Sequence, residues 1–551
     1  ARSITHAQQM MKVLDRAGIR TRVLRASAEL TGRGCGYTLE VAERNYAAAI
    51  RRLQQAGGLE ALPENPGGYA LLEAAGRKRG FLLARGEIDT ERMARVLLED
   101  HDCPGVAIAY DSRNNSMRFA ETAAEVLAGN GVKVYIYESL HPTPCLSFAI
   151  LQLGCIAGIN ITASHNPKEY NGYKVYWEDG AQLPPDHADE VSREMERIDI
   201  FTGVRRMDFS DGCDKGLIVR IGEKMDEAFL RAVLDCRTDP EILEQYGNAV
   251  GIVYTPLHGT GYRLVPEVLK RAGVTNLRVV ESQRKPDGDF PTVAVPNPEN
   301  KACFAEAIDL VLRDGTDCDL IIGTDPDADR VGVVVKDANG LFVPLSGNEL
   351  GALLVDYIIQ ARRRKGTLPE NACAVKSIVS SELFTAICKK NGVTPINVLT
   401  GFKYIGEKIA EYEKTKQYTF LFGYEESYGF LSAGYVRDKD AVAGSLLIAE
   451  MAAYYKSIGT TLYGAIHALY KEYGYYGETV LNIQVGGIDP MAEMNKRMAG
   501  LRGAPPTSAS SSSRLGLIRS GAHGRAFLSA SSEASTSVCT PFARTRSSRR
   551  A

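Results

Sequence analysis

Between about residues 86 and 476 the chain alternates β-prone runs with helical stretches, and this alternation limits its possible folds more than any other feature. Residues 105–110 read as a strand, a helix follows around 120–128, and 132–137 is the next strand. The pattern recurs with 249–254, a helix over 265–272 and a strand over 277–280, then again with a helix over 305–313 and a strand over 319–323. Helical connections are what parallel neighbouring strands require, whereas antiparallel neighbours need only a tight turn. The expected fold is therefore α/β and multi-domain, with mixed or mostly parallel sheets flanked by helices. A chain of 551 residues accommodates three or four domains of about 150 residues each. Ligand sites in such sheets collect beyond the carboxyl ends of the strands.

Composition removes several function classes. A net charge of −2 gives no electrostatic basis for holding nucleic acid or an acidic membrane. The longest apolar stretch, 145–163, is broken by Gln152, Gly154, Gly158 and Asn160, so it predicts a buried helix and then a buried strand instead of a membrane span. The 11 cysteines are scattered without a C-x-x-C pair, which argues for reduced thiols in a cytoplasmic enzyme. No signal peptide pattern opens the chain, and its start at Ala1 fits a fragment or a processed form.

The two ends differ in character from the middle. Residues 1–57 read as a small α+β unit: a helix over 6–17, a strand at 22–24, Cys35-Gly36 before a strand at 37–41, and a helix over 42–56. This stretch resembles the small selenium/sulfur carrier-like domain family, including its Cys-Gly ahead of a strand. Residues 58–85, rich in Gly, Pro and Ala, read as a linker. Residues 501–551 carry the run Ser510-Ser511-Ser512-Ser513, many arginines and a single acidic residue, Glu533; they predict a disordered, low-complexity tail.

Three strand-end loops carry the chemistry. The first, after the apolar run 155–161, is Thr162-Ala163-Ser164-His165-Asn166-Pro167, with Lys174 ten residues beyond the serine. A serine hydroxyl is a poor nucleophile until a base or metal activates it. His165 is a candidate proton carrier, although neighbouring side chains of an extended segment diverge. The second loop is Asp325-Pro326-Asp327-Ala328-Asp329-Arg330, whose alternating carboxylates suit one hard cation. It is not a calcium EF-hand, because Arg330 and Lys336 replace the glycine and glutamate that such a loop needs and a β-type run follows. Arg330 is placed to clamp a phosphoryl group. The third loop, Gly423-Tyr424-Glu425-Glu426-Ser427-Tyr428-Gly429, presents carboxylates and a hydroxyl suited to sugar hydroxyls. Lys403 and Arg113 in other polar loops complete the candidates; the basic pair Arg437 and Lys439, judged alone, reads as solvated more often than functional, and His258 in a Gly-rich loop reads at least as well as a turn residue.

Together these three motifs, in this order, resemble the α-D-phosphohexomutase superfamily in its bacterial phosphoglucomutase/phosphomannomutase branch, over about residues 86–483. The resemblance implies that Ser164 carries a phosphoryl group and that Asp325, Asp327 and Asp329, with Ser164, hold Mg²⁺. It also implies sugar contacts from Glu425 and Ser427, substrate contacts from Arg113 and Arg437, and charge stabilisation or proton transfer by His165, Lys174, Arg330 and Lys403. The implied reaction interconverts hexose 1-phosphate and hexose 6-phosphate, glucose favoured, with glucose 1,6-bisphosphate as activator. Phosphomannomutase, phosphopentomutase, serine-dependent phosphatase and non-catalytic sugar-phosphate binding are the alternatives. By this reading domain I covers 86–215, domain II 216–338, domain III 339–465, and 466–500 is a remnant of domain IV. No Arg-Pro-Ser-Gly-Thr-Glu-type phosphate loop is present, and the expectation is an impaired enzyme of open oligomeric state.

Overall fold

The computed structural model describes residues 105–183 and 204–476, the single residues 188, 191, 496, 497, 499 and 500, and the backbone of five short strands outside those spans. Two of these strands, β1 (Thr21–Arg25) and β2 (Tyr37–Val41), pair antiparallel where the sequence predicts strands. The helices expected over 6–17 and 42–56, Cys35 and the linker lie outside the described residues.

Three sheets make up the body. The first contains β3 (Gly105–Tyr110), β4 (Lys133–Tyr137), β5 (Ala157–Ile161), β6 (Tyr173–Trp177) and β7 (Ile218–Ile221), ordered β6-β5-β3-β4-β7. The second contains β8 (Ile252–Thr255), β9 (Leu277–Val279), β10 (Leu320–Thr324), β11 (Val331–Lys336) and β12 (Phe342–Leu345), ordered β12-β11-β10-β8-β9. The third contains β13 (Ala372–Ser377), β14 (Thr394–Val398), β15 (Thr419–Glu425) and β16 (Gly429–Leu431), ordered β14-β13-β15-β16.

One topology underlies all three. In each sheet the first strand lies between the second and the third, both parallel to it, and the third turns back into an antiparallel neighbour. Strand order therefore reverses beside β3, β8 and β13, which is where a crevice opens at the carboxyl ends of an open α/β sheet. The Ser164 loop joins β5 to β6, the aspartate loop joins β10 to β11, and the Glu-Glu-Ser loop joins β15 to β16. All three motifs thus occupy the same turn of the same topology. The central strands are buried, β5 and β10 along their whole length and β3 from Val106 onward, which suits sheets covered on both faces.

Two short strands pair across the expected boundaries at 215 and 338. β7 pairs parallel with β4, so the first unit extends past residue 215 to Ile221. β12 pairs antiparallel with β11, so the second extends past 338 to Leu345. A four-residue strand carries no sign in its own sequence of which sheet it will join. Farther on, β17 (Val480–Gln484), β18 (Phe527–Ala530) and β19 (Ser535–Cys539) form a sheet ordered β17-β19-β18. Two of these strands fall in the stretch expected to be disordered; β-branched and aromatic residues such as Phe527, Thr536 and Val538 sit within them. Apart from residues 496, 497, 499 and 500, the remainder of 477–551, on which the expected loss of a phosphate loop rests, lies outside the described residues.

Helix Ala441–Ser457 is buried on every side from Ala441 to Ala453, so it belongs to the interior. It follows the third sheet in sequence yet packs against helices Pro240–Tyr246 and Gly261–Arg271 of the second unit. Its Glu450 Oε1 accepts from the amides of Thr238 (3.0 Å) and Asp239 (2.9 Å) and from the Tyr357 hydroxyl (2.8 Å). Burial pushes this carboxyl up from 4.5 to about 7, with the three hydrogen bonds opposing. A carboxyl held above its unfolded value stabilises the fold while protonated, and that contribution, on the order of 3 kcal/mol, disappears as pH rises toward 7. Thermal melts of wild type and Glu450→Gln between pH 5 and pH 8 test this: wild type should lose stability relative to the variant as pH rises. Parallel melting curves for the two proteins would rule it out.

Candidate active site

Beyond β5 the chain turns sharply. Ser164 has φ 52°, the left-handed region that costs a residue with a Cβ about 1–2 kcal/mol. Its amide donates to Thr162 Oγ1 (2.8 Å), whose hydroxyl donates to Asp111 Oδ2 (2.7 Å). The Ser164 hydroxyl, buried, donates to Asp325 Oδ2 at 2.9 Å. His165 Nδ1 lies 3.2 Å from Ser164 Oγ. Divergence of the two side chains would hold only for an extended segment, and the left-handed turn at Ser164 brings them together. With the one hydroxyl hydrogen directed at Asp325, the His165 contact is an Nδ1–H donated to Oγ.

Asp325, Asp327 and Asp329 are buried, and one oxygen from each lies within 4.8 Å of the others. The loop is shaped by its own backbone: Asp325 Oδ1 accepts from the amides of Asp329 (3.1 Å) and Arg330 (3.0 Å), and Ala328 adopts φ 49°. Asp327 Oδ2 is saturated by Lys174 Nζ (2.9 Å) and Thr143 Oγ1 (2.9 Å), while Asp327 Oδ1 and Asp329 Oδ1 are buried without a hydrogen-bond partner. Burial, together with Asp327 and Asp329, pushes Asp325 well above the carboxylate range; burial would also raise Asp327, but Lys174 and the hydrogen bonds hold it below. Unpartnered carboxylate oxygens crowded in a dry loop fit a hard divalent cation with oxygen ligands.

The third loop meets the second directly, since the amide of Val331 donates to the carbonyl of Tyr428 (3.1 Å). Glu425 is the last residue of β15, and its Oε1 accepts from the amide of Gly401 (2.6 Å), tying the loop to the segment that leads into Lys403. Burial pushes Glu425 up to about 7, with Lys439 opposing and Glu426 adding to the shift. Glu426 faces elsewhere, accepting from Ser377 Oγ (2.8 Å) and Ser380 Oγ (3.3 Å). Ser427 is half-buried at the tip of the turn.

Lys439 is the site residue that motif reading passed over. Its Nζ lies 3.1 Å from both Asp329 Oδ2 and Asp438 Oδ1. Burial alone would lower its pKa, yet Asp329, Asp438 and Glu425 raise it far above the usual lysine range. Gly429 leaves room for the lysine stem, because a Cβ there would sit 2.1 Å from Lys439 Cδ. The available signal was the charge run Arg437-Asp438-Lys439-Asp440 before a long apolar helix, a run that by itself is more often solvated. Thr143 was also missed; nothing near it in sequence shows that it meets Asp327.

Other candidates take different positions. Arg113, expected on substrate, turns inward and donates to backbone carbonyls of the Ser164 loop. Arg437, also expected on substrate, is used by Glu413 Oε2 (2.5 Å) and the Gly434 carbonyl, and its amide donates to Ser147 Oγ (2.9 Å). Arg330 pairs with Glu299 (2.7 Å), with Nε 4.0 Å from Asp329. Lys403 opens helix Lys403–Thr415 with its Nζ 5.1 Å from the Tyr404 ring centre. His258 uses both ring nitrogens, at Lys285 O (3.1 Å) and Thr292 Oγ1 (3.0 Å), as a turn residue would. Among the described residues eight cysteines are free and no helix is long and apolar enough to cross a membrane.

Comparison with known proteins gives the family. Family models for the phosphoglucomutase/phosphomannomutase α/β/α domains I, II and III match residues 90–200, 228–340 and 346–473. Phosphoglucomutase from Staphylococcus aureus (strain USA300) is 36% identical over 422 residues, covering 75% of this chain and 72% of that protein. Two solved structures share the fold at a TM-score of 0.61. One is the open form of the Paramecium phosphoglucomutase pp63/parafusin, 18% identical, covering 84% of this chain and 88% of that one. The other is a phosphoglucomutase/phosphomannomutase family protein from Burkholderia thailandensis, 17% identical, covering 86% and 94%. The chain therefore belongs to the α-D-phosphohexomutase superfamily, as an isomerase of the phosphoglucomutase/phosphomannomutase type that acts on hexose phosphates.

Proposed function

We propose that the chain interconverts hexose 1-phosphate and hexose 6-phosphate, with Ser164 as the phosphoryl carrier and a bisphosphorylated sugar that turns over within the site. The observation that carries this reading is the buried Ser164 Oγ, 2.9 Å from Asp325 in a triad with unpartnered carboxylate oxygens. Glucose is the favoured sugar, in keeping with the Staphylococcus aureus relatives named phosphoglucomutase.

Asp325, Asp327 and Asp329 would hold Mg²⁺, with an oxygen of phosphorylated Ser164 as a further ligand. Lys174 and Lys439 reach Asp327, Asp329 and Asp438, yet Asp327 Oδ1 and Asp329 Oδ1 keep no hydrogen-bond donor, which leaves a place for a further cation. Bound there, Mg²⁺ supplies charge neutralisation at the phosphoryl group. The protein's own groups do the rest. Lys174, whose pKa is also raised by Asp327 and Asp329 against the effect of burial, stays an ammonium; like Lys439 it stabilises charge and takes no proton. The His165 N–H steadies the serine oxygen when the phosphoryl group has left it. Glu425 and Ser427 hold sugar hydroxyls, and a carboxyl titrating near neutrality can both donate and accept. Glucose 1,6-bisphosphate would act as activator by restoring phosphoserine whenever the bisphosphate escapes.

In a coupled assay with glucose 1-phosphate, Mg²⁺ and a trace of glucose 1,6-bisphosphate, wild type should form glucose 6-phosphate, and Ser164→Ala should lose about 10³-fold or more. Turnover surviving that substitution would overturn the phosphoserine reading; steady phosphate release would indicate a phosphatase, and binding without turnover a non-catalytic protein. Calorimetric titration should give Asp327→Asn at least about tenfold weaker Mg²⁺ binding, whereas unchanged affinity would remove the triad as the metal site. Gly429→Ala should displace Lys439 and lower kcat by about tenfold with little change in KM; unaltered kinetics would show that this lysine does not contribute.

A further inference from the structure

Arg113 and Asp111 hold both peptide planes that flank Ser164. Arg113 is buried, 3% exposed, at the turn after β3. Its Nη2 donates to the carbonyls of Ser164 (2.6 Å) and Asn166, and its Nη1 to those of Pro167 (2.8 Å) and Tyr170 (2.8 Å). All four terminal N–H groups of the guanidinium are thus used on the backbone of one loop. Nε faces Asp111 Oδ2 at 3.3 Å. That same Asp111 oxygen accepts from Thr162 Oγ1 (2.7 Å), which in turn takes the Ser164 amide (2.8 Å). One ion pair therefore fixes the Ser164 carbonyl through Arg113 and the Ser164 amide through Thr162. The left-handed φ of 52° at Ser164 is disfavoured for any residue with a Cβ, so it persists only where surroundings impose it.

The second unit closes the arrangement. The Phe290 ring lies 5.1 Å from Arg113 Cζ, and Asn114 Nδ2 donates to Asp289 Oδ1 (3.3 Å). Gly288 packs so closely on the first unit that a Cβ would sit 2.5 Å from the amide nitrogen of Asn114. Lysine cannot replace this arginine, since a single ammonium on a flexible stem does not present a planar fork to four separated carbonyls.

We propose that Arg113, held by Asp111 and covered by Phe290, is the positioning residue that fixes Ser164 for phosphoryl transfer. This rests on the reading of Ser164 as the phosphoryl carrier, and it assigns Arg113 no contact with substrate. A misplacement of about 1 Å at a reacting atom costs about 100-fold in rate, whereas sugar binding through Glu425 and Ser427 is left intact. The test is the half-reaction. Wild type, Arg113→Lys and Arg113→Met are mixed with glucose 1,6-bisphosphate and Mg²⁺, and phosphate on the Ser164 peptide is followed by mass spectrometry, beside kcat and KM for glucose 1-phosphate. Both variants should phosphorylate Ser164 about 100-fold more slowly, with KM within about threefold of wild type, and lysine should rescue only weakly. Equal rates in wild type and Arg113→Lys would overturn the proposal alone. So would a parallel rise in KM, which a substrate-binding arginine would produce. A wild type that never phosphorylates Ser164 would overturn the functional reading and this proposal with it. If the Arg113 variants do not fold, Phe290→Leu, which removes only the covering ring, should lower the phosphorylation rate several-fold at unchanged KM; an unchanged rate would overturn the proposal.

Discussion

The hydrogen bond from Ser164 to Asp325 is the contact around which the rest is arranged. It joins residues 161 apart in sequence, on different sheets, at 2.9 Å. Neither partner gains by it on its own terms. Ser164 adopts a strained backbone, and Asp325 gives up water for a pocket with two other carboxylates. Burying such a group costs several kcal/mol even with its hydrogen bonds made. The surrounding fold has to offset that cost, and it does so with ordinary material: buried parallel strands and the wholly buried helix Ala441–Ser457.

Topology explains how three distant loops come to one place. Each unit repeats the same strand order, and each puts its polar motif where the last parallel strand turns back into an antiparallel one. A hairpin turn at the crevice is the position with exposed backbone polarity on a rigid support. The chemistry of the three loops differs only in side chains: a hydroxyl in the first, carboxylates in the second, carboxylates and a hydroxyl in the third. Direct hydrogen bonds then weld them, from the Ser164 hydroxyl to Asp325 (2.9 Å) and from the Val331 amide to the Tyr428 carbonyl (3.1 Å).

How much of this could be read in advance follows from how local each signal is. The alternation of strands and helices and the Asp325–Asp329 spacing are local properties; the elements form where they were read, and the three carboxylates come within 4.8 Å of one another. Arg113 and Arg437 are different. An arginine in a strand-end loop reads as a substrate contact, and only the fold reveals backbone carbonyls already occupying its donors. Lys439 failed in the opposite direction, being set aside as solvated until Asp329 arrived from another unit at 3.1 Å. The short strands β7 and β12 were not read at all, and sheet membership is decided by partners, not by the four residues themselves.

The run Arg437-Asp438-Lys439-Asp440 shows why such residues escape notice. Every member is buried, which for four consecutive charges is possible only if each finds a partner. Asp438 accepts from Tyr176 (2.7 Å) and Gln182 (3.1 Å) of the first unit, Lys439 reaches Asp329 of the second, and Asp440 caps the next helix through the amides of Val442 (2.7 Å) and Ala443 (3.1 Å). A tetrapeptide that follows the third sheet is therefore where all three units meet. Because the helix it caps is buried on every side, Lys439 cannot shift along its axis without repacking the core. The ammonium beside the aspartates is thus placed by apolar packing behind it, and the polar site inherits its geometry from the hydrophobic interior.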